Sequence, residues 1–194
     1  MKVVEFLGMP RAGKTTAIEV AESYLKKEGA RVRTVYEGAR VCPLDKSDRF
    51  NYHSWSFHNT VNRILEARLD HYDYILVDRG ILDHMAFLRA IKENCLTDTL
   101  ITKKYYESFL DLQDFEILFL VSPEEAIKRE SKNKPFVGRV FNQPFLERLK
   151  ESYEGVVEYF EYYKRNITRI NGNDDLSLNL EKVLNFFKDL KGGD

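Results

Sequence analysis

The sequence predicts a three-layer α/β/α sandwich built on about five parallel strands. Three observations predict it. Apolar runs of strand length alternate with segments of helical period along the chain, which implies parallel strands joined by crossover helices. Residues 2–7, 73–78 and 115–121 are apolar almost throughout, as strands covered on both faces are. The segments between them carry one-sided apolar stripes.

The elements follow in order. The run KVVEFL, residues 2–7, is the first strand. A helix is expected over 14–27, with Ala17, Ile18, Ala21, Tyr24 and Leu25 on one face and Gly29 closing it. Residues 31–36 make the second strand. Residues 54–69 read as a helix with Phe57, Val61, Ile64, Leu65 and Leu69 as its stripe. The third strand, 73–78, is followed by helical stretches near 83–93 and 99–111. The fourth strand covers 115–121. Ser122-Pro123-Glu124-Glu125 then reads as a helix start: Ser122 caps, Pro123 fits the first helical position and Glu125 can complete a capping box. That helix runs to about Glu130. A basic stretch broken by Pro135 and Gly138 follows, then a helix over 143–164, a short fifth strand at 167–170 and a last helix over 177–190. The whole of 1–194 reads as one domain, with a lid over about 131–141.

Composition narrows the function. Hydrophobic residues make up 43% of the 194 and charged residues 31%, so the chain reads as globular and soluble. Its net charge of −1 makes no case for a nucleic-acid polymer as partner. Cys42 and Cys95 lack the spacing of a redox or zinc motif and suit a reducing, cytoplasmic compartment. No apolar run reaches membrane-spanning length, and the first residues lack the form of a signal peptide.

The strongest motif is GMPRAGKT, Gly8 to Thr15, between the first strand and the first helix. It comprises Gly8, Met9, Pro10, Arg11, Ala12, Gly13, Lys14 and Thr15, with Thr16 following. Gly8 and Gly13 let the backbone turn tightly and approach phosphates without a side chain in the way. Successive N–H groups then form an anion nest at the positive end of a helix. Lys14 is expected on the β- and γ-phosphates and the Thr15 hydroxyl on Mg²⁺. The motif therefore points to ATP with Mg²⁺. The bland alternative, a glycine turn with an exposed lysine, does not explain why a buried strand ends there and an amphipathic helix begins.

Several classes of protein use such a loop. Guanine-specific switches need Asn-Lys-x-Asp after a strand, and the nearest string, Asn133-Lys134-Pro135-Phe136, lacks the aspartate. Large motor or transporter ATPases need more chain. The third strand delivers Asp78 and Arg79 to its C-terminal end, where ligands bind in open α/β sheets.

The loop GMPRAGKTT, the DRG run after the third strand and the basic segment after the fourth resemble the thymidylate kinase and deoxynucleoside kinase group. QPFLERLKESYE, residues 143–154, resembles the helix after the lid in deoxynucleoside kinases. The resemblance covers most of the chain in order and implies a phosphate-loop kinase fold. It implies that Asp78 acts near Mg²⁺ or its water shell and that Arg79 holds phosphate or acceptor; a strand-end ion pair is the bland reading. It implies Glu37 as the base for a 5′-hydroxyl, against a solvated carboxylate paired with Arg40. It implies that Arg11 acts on the transferring phosphoryl group, as in some thymidylate kinases. Those enzymes usually have an aspartate before that arginine, where this chain has Pro10. Lid arginines, here Arg129 and Arg139, are implied to close over the phosphates, against an ordinary solvated basic face.

On the acceptor side the resemblance implies that Trp55 or Phe57 stacks a base and that His58 stands where a glutamine reads the base edge. For Phe57 the helical spacing favours the core. Asp83 matches an acceptor-side carboxylate, while His84 stands where an arginine is usual. The expected reaction is transfer of the ATP γ-phosphoryl group to a nucleoside or nucleoside monophosphate. A kinase of another small alcohol and a non-enzymatic ATP-binding module are the alternatives. The group often pairs helices into homodimers, so the apolar positions of 54–69 and 83–93 are candidates for a dimer face and equally for the core.

Overall fold

The computed structural model describes residues 1–91, 104–133 and 141–192. Its sheet has five strands: β1 (Lys2–Gly8), β2 (Val32–Val35), β3 (Tyr74–Asp78), β4 (Phe115–Leu120) and β5 (Ile167–Asn171). All neighbours are parallel, in the order β2-β3-β1-β4-β5. β1 is central, and its C-terminal end is where the chain leaves the sheet into the glycine-containing loop.

The helices are α1 (Lys14–Lys27), α2 (Arg49–Leu69), α3 (Ile81–Ile91), α4 (Pro123–Asn133), α5 (Gln143–Tyr162) and α6 (Leu176–Gly192). Strand alternation explains the three layers. Val3, Val35, Ile75 and Val77 pack with Ile64 and Ala67 of α2. Val4, Phe6 and Leu76 turn to the opposite face, where Phe6 stacks on Phe187 of α6 at 6.1–6.4 Å spacing within a Phe119–Phe6–Phe187 series. α1 packs with α6, while α2, α3 and α5 form the other layer.

The element order expected from sequence is found, with local differences. α2 begins at Arg49 rather than 54, because Asp48 accepts from Asn51 N–H and caps the helix earlier. α3 begins at Ile81, two residues earlier than expected. Ser122 caps α4 through Glu125 N–H at 3.2 Å, but Glu125 makes no capping box; its carboxylate turns to Lys128 and Arg129. Over the stretch expected as a helix near 99–111, the described part is helical to Glu107, and Leu110–Leu112 forms a 3₁₀ turn. Residues 134–140, most of the expected lid, and with them Arg139, lie outside the described residues. Among the described residues no helix is long and apolar enough to cross a membrane.

Candidate active site

The loop between β1 and α1 is shaped by backbone constraints at its two ends. Gly8 has φ +128°, and a Cβ there would lie 2.0 Å from the Phe119 carbonyl oxygen of β4. Gly8 is thus required by packing against the neighbouring strand, whatever the loop binds. Gly13 has φ +99° and caps α1 in the left-handed conformation. Arg11, between them, also has positive φ, +60°.

Around this loop lies a cavity of about 720 Å³ at the C-terminal edge of the sheet. Pro10, Arg11, Ala12, Gly13, Lys14, Thr15 and Thr16 form one wall. Glu37, Arg40, Asp78 and Arg79 face them, and Arg129 contributes from α4. The cavity has the size of an ordinary small-molecule site, which runs to about 300–1,000 Å³.

Lys14 is buried and folds back over the loop, its Nζ donating to Gly8 O and Met9 O at 2.8 Å each. Burial, then the nearby Arg79 charge, lowers its pKa to about 7. A lysine held this way sits ready to gain from any anion brought to the nest.

Asp78 ends β3 and is almost fully buried; its Oδ2 accepts from Arg40 Nη2 at 2.9 Å. Burial raises its pKa, opposed by Lys14 and Arg79. Arg79 takes the left-handed region at φ +65°. Its Nη1 donates to both Asp83 oxygens at 3.1 and 2.9 Å, to Tyr153 OH at 3.2 Å and to Gly8 O at 3.3 Å. Its Nε lies 3.3 Å from Glu37 Oε1. Burial acts to lower its pKa, but Asp83 and Glu37 outweigh it and hold the guanidinium charged.

Asp83 is 1% exposed. It accepts from Gly8 N–H at 3.0 Å and from Tyr153 OH at 2.7 Å in addition to Arg79. Burial acts to raise its pKa, and the Arg79 charge outweighs that, so it is lowered. In the structure Asp83 braces the loop and Arg79 and does not line the cavity. Trp55, Phe57 and His58, expected on the acceptor side, do not line it either. Phe57 is buried against Tyr106, with ring centroids 4.3 Å apart, and His58 pairs its Nε2 with Tyr105 OH at 2.7 Å. The core reading of the α2 stripe describes Phe57.

The cavity also has walls that motif spacing did not single out: Glu130, Phe141, Gly172, Asp174, Leu176 and Asn179. Gly172 to Asn179 follow β5 at the carboxyl edge of the sheet. The rule that parallel sheets bind ligands at that edge was the available signal for them. Glu130 and Phe141 carried none, since only folding brings them near the loop. Among the described residues no cluster of three or more His, Cys, Asp or Glu side chains could hold a metal ion. Thr15 and Asp78 do face the same cavity, which fits a cation shared with a bound triphosphate.

No family model and no curated protein matches the chain. Solved structures do share its fold. A deoxyadenosine kinase from M. mycoides with bound dATP superposes with TM-score 0.68 at 18% identity, over 96% of this chain and 99% of that one. The M. mycoides deoxyadenosine kinase with bound dCTP gives 0.66 at 20% identity, and its form with the products dCMP and a flexible dCDP gives 0.71 at 18%, over the same shares of both chains. At such identity the likeness shows a shared fold and no more.

Proposed function

We propose that this chain, having the fold of deoxynucleoside kinases, transfers the γ-phosphoryl group of ATP to a hydroxyl of a nucleoside. The observation that carries the reading is the single cavity in which Glu37, Asp78 and Arg79 face the glycine loop and Lys14. Donor phosphates on one wall and a carboxylate on the other are what a hydroxyl acceptor requires.

In this reading the loop N–H groups and the α1 N-terminus bind the donor phosphates. Lys14 swings from the Gly8 and Met9 carbonyls onto them. Thr15 and Asp78 are the residues that would hold Mg²⁺, which supplies charge neutralisation on the phosphate oxygens when bound. Glu37 takes the hydroxyl proton as the oxygen attacks phosphorus, and ADP leaves. Arg11 and Arg129 stabilise the spread negative charge, while Arg79, held by Asp83 and Tyr153, orients Glu37. The wall from Gly172 to Asn179 accommodates the rest of the donor.

A hydroxyl is favoured over a monophosphate acceptor by charge. The Arg79 guanidinium is already covered by Asp83, Tyr153 and Glu37, and Arg40 is paired with Asp78. An incoming phosphate monoester would meet the Glu37 carboxylate instead of an open cation.

The test is ADP release from ATP and Mg²⁺ across a panel of nucleosides, nucleoside monophosphates and other small alcohols. At least one nucleoside should stimulate release. Lys14→Ala should lower the rate on the order of 10³-fold or more, and Glu37→Gln by about 10²- to 10⁴-fold, with the fold intact. ADP release unchanged by every acceptor would sink the reading, and stimulation by another alcohol alone would move it to that substrate.

A further inference from the structure

We propose that Glu130 is a positioning residue, holding Arg11 so that its guanidinium meets the terminal phosphoryl group of a bound triphosphate. The inference rests on the donor half of the function proposed above. Glu130 lies in α4, one turn before its end, and its side chain is only 2% exposed although it forms part of the cavity wall. A buried carboxylate is costly unless paired and hydrogen-bonded. One of its partners is Arg11: Nε of Arg11 donates to Glu130 Oε2.

The attachment is made at two points. Arg129, the preceding residue, donates from Nη1 to the Arg11 carbonyl oxygen at 3.2 Å. The end of α4 thus grips both the backbone and the side chain of one residue whose φ, +60°, is left-handed. A free arginine on a loop would sample many positions. A guanidinium is planar, so fixing Nε sets the plane of the group and leaves its terminal edge for a ligand. Among the described residues no hydrogen bond engages the two terminal nitrogens of Arg11. The side chain is 36% exposed and borders the cavity. A planar fork of that kind suits the oxygens of a phosphoryl group. Towards the phosphate Glu130 acts through Arg11, since its own negative charge would repel the phosphate if unpaired.

The test is a double-mutant cycle on the full chain with two readouts: kcat and KM with the most active nucleoside, and the ratio of ATP to ADP affinity by titration, which needs no acceptor. Arg11→Ala is expected to lower kcat about 100-fold and Glu130→Ala about 10-fold, with KM for ATP within about threefold. Both should lower the ATP-to-ADP affinity ratio. Arg11→Ala/Glu130→Ala should match Arg11→Ala alone in both readouts. Glu130→Gln keeps an oxygen for Nε and should recover most of the loss. Multiplicative losses in the double variant, or an unchanged ratio and kcat in Glu130→Ala, would overturn the inference. Should Glu130→Ala fail to fold, Glu130→Gln decides: its smaller loss must vanish in the Arg11→Ala background, and a loss of the same size there overturns the inference. Should no nucleoside be phosphorylated, the proposed function falls and the affinity ratio still decides the role of Glu130.

Discussion

Lys14 shows how a motif residue is prepared by its surroundings. Burial and Arg79 lower its pKa to about 7, while a triphosphate beside it would favour the charged form. Above pH 7 the empty site holds a largely neutral amine, so ATP binding must take up a proton. Calorimetry in buffers of different ionisation enthalpy should therefore show proton uptake approaching one per ATP at pH 8. Affinity should fall as pH rises above 7, and both effects should disappear in Lys14→Ala. Binding at pH 8 with no proton uptake would mean that the lysine is already charged in the empty site. The loop marked Lys14 as a candidate phosphate ligand, because the spacing is local. It did not spell out the bonds to the Gly8 and Met9 carbonyls or the depressed pKa. The depressed pKa arises from burial in the fold and from Arg79, 65 positions away.

At the scale of an element, α3 explains why Arg79 and the loop hold their shape. Its first turn has no side-chain cap of its own. Instead Glu5, in the middle of β1, accepts from Leu82 N–H at 3.1 Å and Asp83 N–H at 2.8 Å, and Gln113 accepts from Ile81 N–H at 3.3 Å. Gln113 in turn donates to Glu5 and Glu116, and Glu116 accepts from Arg165. The N-terminal end of α3 is thereby fixed over β1, and Asp83 with it. Burial, reinforced by Asp83, raises the Glu5 pKa to about 8. The folded state then binds more protons than the unfolded one between pH 4.5 and 8, so this group stabilises the fold at low pH and the contribution is lost as pH rises through that window. His84 opposes it at the lower end: burial lowers its pKa to about 4, so its contribution improves as pH rises from about 4 to 6.5. The difference between Glu5→Gln and the parent isolates the carboxyl. Denaturant titrations should show the variant gaining on the parent as pH rises from 4.5 to 8, by up to about 1.4 kcal/mol per pH unit. A constant difference across that range would show that Glu5 does not titrate there.

That helix start also marks a limit of reading in one dimension. Glu5 looks like an irregularity in an apolar strand, and Gln113 like a loop residue before β4. Only the register that places Glu5 beside Glu116 gives them a task. Phe57 is the converse case. Its helical spacing fitted a core stripe and its neighbourhood fitted a base platform, and the fold buried it beneath Tyr106. Asp83 was legible as an acid near the site, but its turn towards Gly8 and Arg79 depended on Tyr153 of α5.

For the molecule as a whole, strand order makes the site. With β1 between β3 and β4, the glycine loop, the Asp78–Arg79 corner and the start of α4 emerge side by side at one edge. The alternation of strands and helices was enough to predict parallel layers, and the apolar runs were enough to place β1, β3 and β4 inside. Neighbours in the final sheet are not neighbours in the chain, so Glu130, Phe141 and the wall after β5 became part of the site only in three dimensions. The same arrangement sets the glycine loop and the Glu37, Asp78 and Arg79 side chains across one cavity, which is the basis on which we propose transfer rather than simple nucleotide binding. Transfer can be followed atom by atom. With ATP labelled in its γ-phosphoryl group and a mixture of nucleosides, the account predicts that label appears in a nucleoside monophosphate and that Lys14→Ala abolishes it. Label found only in inorganic phosphate, or only in a nucleoside diphosphate when monophosphates are supplied, would contradict it.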